Sequence, residues 1–225
     1  MVAIVIPTYN EHETLPRVLD GIFGLNLADV QVVIVDDAST DGTAEVAAPR
    51  ATVLSRAGVR GLGSALVFGF QHALRAGADI IVEMDADGSH DPREIPALLT
   101  ALAEGADVAI GSRRIVGGRI IGWSVWRQAM SWGAMTAARL VLGLKTQDVT
   151  NGFRAYRRAA LLRVGFDGIK SSGYAFQEEL LYRLERAALR VVEIPTTFRD
   201  RTAGQSKLTG RDIAEFFITL IRLRI

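Results

Sequence analysis

The 225-residue chain has no cysteine, which excludes disulfides and thiolate metal sites. Its three histidines, His12, His72 and His90, show no metal-ligand spacing, so a zinc centre is not expected. No apolar run approaches the ~20 residues of a membrane-spanning helix. The first residues enter a strand without the basic and apolar regions of a signal peptide, which leads us to expect a cytosolic protein, at most touching a membrane. The net charge of +1 argues against broad nucleic-acid binding. Two phosphate-gripping fingerprints are missing too. No Gly-x-Gly-x-x-Gly follows the first apolar run, and there is no P-loop lysine motif.

Hydrophobic residues make up 49% and charged residues 23%, so a disordered or fibrous chain is excluded. The length suits one domain, residues 1–225, with a substantial core. Short apolar runs at Val2–Ile6, Val30–Val35, Thr52–Leu54, Ile80–Met84 and Ala106–Ile110 read as strands. Helical patterns separate them, through Leu19–Phe23, near Ala44–Ala48, around Leu66, Phe70 and Leu74, and up to Ala103. Such alternation specifies an α/β fold, a Rossmann-like, mainly parallel sheet with helices on both faces. Pro7 is expected to end the first strand. Asn10-x-x-Glu13 and Asp91-Pro92-Arg93-Glu94 read as capping boxes opening helices. Later come a helix over Gly122–Leu142, a strand near Phe153–Tyr156, an amphipathic helix over Ala175–Leu189, a strand at Val191–Ile194, a polar loop over Arg199–Lys207 and a last helix from Asp212 to Arg224. Residues 1–111 hold the regular strand and helix alternation, and residues 112–225 form a less regular half.

The fourth strand ends abruptly at Asp85 and Asp87. Two carboxylates where a buried strand meets a loop are costly unless a cation joins them, although a bare Asp-x-Asp is equally compatible with loop capping. Ligands of open α/β sheets sit outside the carboxyl ends of the strands, which is this place. Mg²⁺ or Mn²⁺ held by Asp85 and Asp87 could grip a diphosphate there. Asp37 would suit a ribose hydroxyl or base edge, and Tyr9 a stacking contact. Each taken alone is also an ordinary turn residue.

The second half gathers Arg113, Arg114, Arg119, Arg127, Arg154, Arg199, Arg201 and Lys207. Singly, each reads as a surface charge. As a set among aromatic and glycine-rich loops they read as a phosphate site, since arginine suits bidentate phosphate contacts. A sugar-hydroxyl acceptor needs a general base, whereas a phosphate monoester is already anionic and needs fixed cations instead. Glu178 and Glu179 keep the base alternative open, with Glu178 read as a solvated helix face.

Pro7-Thr8-Tyr9-Asn10-Glu11, Val35-Asp36-Asp37-x-Ser39-x-Asp41-Gly42-Thr43 and Asp85-Ala86-Asp87-x-Ser89-His90-x-Pro92 resemble signature blocks of the family 2 glycosyltransferases. Four later blocks resemble the dolichol-phosphate (polyprenol-phosphate) mannose synthases within it. These are Gly111-Ser112-Arg113, the run Asp148–Tyr156, Gly173-Tyr174-Ala175-Phe176-Gln177-x-Glu179 and Asp200-Arg201-x-x-Gly204-x-Ser206-Lys207. The resemblance implies a GT-A fold and inverting transfer of mannose from GDP-mannose to a polyprenyl or dolichyl monophosphate. It implies a guanosine pocket of Pro7, Tyr9, Glu11, Val35 and Asp37, and a Mg²⁺ or Mn²⁺ site of Asp85, Asp87 and Ser89, with Ala86 beside the donor. Arg113, Arg201 and Lys207 would face the donor or acceptor phosphates, and Arg127 and Ser131 the acceptor phosphate, with Asp87, Arg113 and Arg201 central to catalysis. Glu179 falls on a motif position and could orient an arginine. The Gln-x-x-Arg-Trp block of processive synthases is absent, which argues against a polymerase.

A polyprenyl substrate is met at a bilayer. Ile115–Leu144, with Ile120, Ile121, Trp123, Trp126 and Trp132 beside Arg119 and Arg127, has the composition of an interfacial helix, and the last helix ends apolar and basic. Core packing is the alternative for both. Docking through a separate membrane-spanning subunit is a further possibility. The expected location is peripheral, on the cytosolic face of a membrane. The rival readings are a UDP-glucose-dependent glucosyltransferase and a non-catalytic nucleotide-sugar-binding subunit.

Overall fold

Runs of branched apolar residues can bury both of their faces only as inner strands of a sheet covered by helices on each side. The computed structural model describes residues 1–58, 60–171, 173, 175–200 and 210–224. Its strands are β1 (Val2–Thr8), β2 (Val30–Asp36), β3 (Thr52–Ser55), β4 (Ile80–Glu83), β5 (Val108–Ser112), β6 (Arg119–Ile121), β7 (Arg154–Arg157), β8 (Val191–Pro195) and β9 (Thr197–Arg199). Its helices are α1 (Leu15–Phe23), α2 (Thr43–Ala47), α3 (Leu62–Arg75), α4 (Ile95–Ala103), α5 (Val125–Leu142), α6 (Arg158–Val164), α7 (Phe176–Arg186) and α8 (Gly210–Arg224). The main sheet runs β3-β2-β1-β4-β7-β5-β8, parallel except for β7, which is antiparallel to both neighbours. A small parallel pair, β6-β9, stands apart.

Period-two alternation sorts each strand between two cores. Ile4, Ile6, Val32, Ile34 and Val82 pack under α1 and α4. Ala3, Val5, Val33, Val35 and Ile81 face α3, α5 and α7 on the other side. Gly69 lets α3 lie directly on the sheet, for a Cβ there would come within 2.8 Å of Val35 Cγ2.

Three local expectations are corrected. Pro7 lies inside β1, opposite Val35, rather than ending it. Thr8 and its alternates hydrogen-bond towards β2, so the ring nitrogen of Pro7 faces the β4 side, where β4 has already ended, and no ladder bond is lost. Asn10 opens no helix. At φ 54° it bridges instead to the loop after β2, its N–H donating to Ser39 Oγ (2.9 Å) and its Oδ1 accepting from Thr40 N–H (3.0 Å). Asp91 does cap, accepting from Arg93 N–H (3.0 Å), but it caps a 3-10 turn at Pro92–Glu94, and Glu94 accepts from Thr197 N–H (3.0 Å) rather than completing a box. β6, β9 and α6 were not foreseen.

Candidate active site

The ends of β1, β2 and β4 come together as the strand order requires. After β4 the chain turns through Gly88, at φ 75°, and Ser89 N–H comes back to Asp87 Oδ1 (2.9 Å). Asp87 is buried, and Asp85 is about a third exposed. Ser89 Oγ is buried in the same loop and has no hydrogen-bond partner among the described residues. Two carboxylates and an orphaned hydroxyl form an all-oxygen set that fits a hard divalent cation. Among the described residues no group of three acidic or imidazole ligands gathers. Two protein carboxylates, with the remaining positions left to substrate phosphates, is how Mg²⁺ is commonly held.

Behind the acid pair lies a buried polar cluster. Burial pushes the Glu83 carboxyl up to about 7, against the pull of Arg154 and of hydrogen bonds from Gln177 and Tyr156. Arg154 is fully buried and donates to the carbonyls of Asn151 (2.7 Å), Val149 (2.7 Å) and Gln177 (3.1 Å). Its place in the expected phosphate set is thereby corrected, because its donors are committed to main chain. Gly152 approaches so closely that a Cβ would stand 3.2 Å from Glu83 Oε1.

On the nucleotide side, Asp36 braces the loop, accepting from Thr8 Oγ1 (3.0 Å) and from Ser39. Asp37 is clamped by Arg56 (2.6 Å) and by Gly61 N–H (3.0 Å). Arg56 escaped the sequence reading. It follows β3 directly, and the order β3-β2-β1 sets it beside the acid that follows β2. The Tyr9 ring lies under the Arg60 guanidinium, 4.2 Å from the centroid. Glu11 accepts from Thr14 Oγ1 (3.0 Å), and Pro7 is half-buried. Val35 departs from its expected place in the pocket wall. Its side chain is fully buried in the core, because its position in β2 faces α3.

The cations are arranged less simply than a row facing phosphate. Arg113 makes a buried bidentate pair with Asp148 (2.7 and 2.6 Å) and donates to Thr150 Oγ1 (3.0 Å). Burial alone would raise the Asp148 carboxyl, but Arg113 holds it below its usual range. Ser131 accepts from Arg114 (3.0 Å), whose guanidinium is depressed by burial and by the charge of Arg113. Arg127 pairs with Asp200 (3.1 Å) and stacks over Trp123 at 4.1 Å. Arg119 and Arg199 are exposed. Arg201 and Lys207 lie outside the described residues.

Helix α7 overturns the reading of Glu178 as a solvated face. It is buried, its Oε2 lacks a partner among the described residues, and desolvation pushes its carboxyl up to about 8. Glu179 is equally buried but accepts from Ser171 Oγ (2.7 Å), Arg222 (2.7 Å) and Arg183 (3.1 Å), which hold its carboxyl down against the effect of burial. Glu179 thus meets two arginines, Arg222 and Arg183.

Helix α5 presents its apolar side outward. Val125, Trp126, Met130, Trp132 and Leu140 are all exposed, and among the exposed positions of α5 only Arg127 carries a charge. Trp123 is different. It is half-buried between Arg127 and Phe198, which removes it from the expected docking face. Phe217, Ile218 and Ile221 of α8, which packs on α5, are exposed as well. Among the described residues no helix is long and apolar enough to cross a membrane.

The family model described as glycosyl transferase family 2 matches residues 3–165. The chain belongs to that family. It is 43% identical to the undecaprenyl-phosphate mannosyltransferase of Micrococcus luteus, over 98% of this chain and 93% of that protein. It is 42% identical to the polyprenol monophosphomannose synthase of Mycolicibacterium smegmatis, over 94% of this chain and 82% of that one. In fold it is similar to glucosyl-3-phosphoglycerate synthase from Mycobacterium tuberculosis, crystallised with Mn²⁺, UDP-glucose and phosphoglyceric acid. The TM-score is 0.76 at 23% identity, covering 100% of this chain and 79% of that chain. This family 2 enzyme is therefore a glycosyltransferase of the GT-A fold.

Proposed function

We propose that this glycosyltransferase moves mannose from GDP-mannose to a polyprenyl monophosphate in a single inverting displacement at a membrane surface. The observation that carries the reading is the meeting, at one end of the sheet, of the acid pair with its orphaned Ser89 hydroxyl and the arginine-rich segment from Arg113 to Arg127. The likeness to two polyprenyl-phosphate mannose transferases over nearly the whole chain supports the sugar and the acceptor.

Asp85 and Asp87 would hold Mg²⁺ or Mn²⁺, which when bound neutralises the departing diphosphate. Tyr9 and the loop after β2 would seat the nucleoside, with Asp37 held in place by Arg56. Arg113 and Arg127 would offer charge to the acceptor phosphate, together with Arg201 and Lys207. A phosphate acceptor carries its own negative charge, so no residue has to take its proton. The two glutamates of α7 agree with that economy, for both are buried and Glu179 is engaged by Ser171, Arg222 and Arg183. The outward apolar face of α5, with its charge confined to the first turn, would settle into the headgroup region and bring the lipid phosphate to the arginines. A membrane-spanning subunit could share that face.

The test is product formation from a short-chain polyprenyl phosphate with labelled GDP-mannose or UDP-glucose, each with Mg²⁺, Mn²⁺ or chelator. Mannolipid from GDP-mannose alone, lost on chelation, is expected. Glucolipid from UDP-glucose would replace the proposed donor, and turnover undiminished by chelator would overturn the metal role of the acid pair.

A further inference from the structure

His90 sits in the acid loop, with both ring nitrogens committed within the protein. It is 3% exposed, stacked on Phe153 (ring centroids 5.0 Å apart, planes at 19°) and met edge-on by Phe198 at 5.8 Å. This slot fixes the plane of the imidazole. Nδ1 accepts from the N–H of Asp85 at 3.2 Å, so the ring proton is assigned to Nε2, which lies 2.9 Å from Asn151 Oδ1. The Asn151 amide in turn donates to the carbonyl of Gly111. Donation runs one way, from the end of β4 to the end of β5. Nδ1 is 3.9 Å from Asp85 Oδ2, too far for a hydrogen bond, so the ring's hydrogen bond is to the main chain of Asp85.

Asn151 belongs to the segment before β7 in which Asp148 clamps Arg113 and Thr150 accepts from it. Arg154 pins the same segment through the carbonyls of Val149 and Asn151. One imidazole therefore joins the acid loop to the segment that sets Arg113. Magnesium tolerates little error in the placement of its oxygen ligands, and groups that orient such ligands alter metal affinity roughly 10- to 100-fold when removed.

We infer that His90 is a positioning residue that fixes Asp85 for a divalent cation and ties the acid pair to the Arg113 segment through Asn151. The inference rests on the proposed metal role of Asp85 and Asp87. Its test is Mn²⁺ binding to the full chain, followed by electron paramagnetic resonance with and without GDP, for the wild type, Asp87→Asn and three variants of His90. His90→Asn places an acceptor where Nδ1 stands. His90→Gln keeps a donor towards Asn151 and gives Asp85 N–H no acceptor, and His90→Phe keeps only the packing. Phe and Gln should weaken Mn²⁺ about ten-fold or more, and Asn no more than about three-fold. Thermal unfolding recorded in parallel separates this pattern from loss of fold. If the Phe variant does not fold, Asn against Gln decides. Equal Mn²⁺ affinity in those two, with Asp87→Asn deficient, overturns the role of His90 alone. Undiminished binding by Asp87→Asn removes the metal site and this inference with it.

Discussion

Helix α7 buries Glu178 and Glu179 at 2% exposure each, whereas α5, bordering the same core, leaves Trp126 75% and Trp132 63% exposed. The two helices invert the usual partition in opposite directions, and each inversion has a cause that can be named. On α7 the inward charge belongs to a latch, in which Glu179 draws Arg222 of α8 and Arg183 onto one carboxylate. On α5 nothing among the described residues covers the outward apolar side, and Met135, Ala138 and Leu142 are its buried residues. A buried polar group or an exposed apolar face is more informative than a residue in its ordinary place. Here the first marks internal wiring, and the second is the face that the proposed function assigns to the membrane.

The contrast can be sharpened most strongly through Glu178. Its folded value of about 8 lies above the ordinary 4.5, so the folded chain keeps a proton that the unfolded chain releases. The stability tied to that proton is whole below about pH 4.5 and is lost as the pH rises to about 8, roughly 5 kcal/mol in all, of which about 3.5 kcal/mol falls between pH 5 and 8. Glu178→Gln should flatten the fall by that amount in urea unfolding at pH 5 and 8, while Glu83 keeps a milder slope of the same sign. Identical slopes in the two proteins would mean that Glu178 is not buried as a neutral acid. Glu179→Ala should cost about 3 kcal/mol, because it leaves Arg222 and Arg183 without their shared partner. A loss below about 1 kcal/mol would show the latch to be dispensable. The effects on α5 should be smaller. Gly133→Ala should stabilise by about 0.5–1 kcal/mol, since nothing lies within 4 Å of the added methyl group; destabilisation would indicate that this face is covered. Trp126→Ser with Trp132→Ser should stay within about 0.5 kcal/mol in stability while weakening binding to anionic vesicles about ten-fold. Unchanged vesicle binding would break the comparison on the α5 side.

Strand and helix alternation was readable because each element of the first half is long enough to show its period, and β1 to β5 lie close to the expected bounds. The period of α5 was readable too, since Trp126, Met130, Met135 and Leu140 recur at helical spacing. Spacing says which residues share a face and not which face turns inward, and only Met135 of these four is buried. β6 and β9 are three residues each, too short to display alternation. The acids at the strand ends were legible as a group because chain order and sheet topology coincide there. Arg56, His90 and Asp148 were not assigned roles of their own, since their contacts span 19, 61 and 35 residues and depend on which strands are neighbours. Arg154 looked like the exposed Arg119 and Arg199, and nothing local tells an arginine that solvates carbonyls from one that meets an anion.

The reversed strand β7 has a consequence for how the chain is made. β4 and β5 are synthesised first, yet both pair with β7, which follows β5 by about forty residues along the chain. Until then each of them holds an open edge, the condition that invites pairing with a stranger. The middle of the nascent sheet therefore stays open until β7 arrives, and a truncation between residues 112 and 153 should yield inclusion bodies rather than a working half.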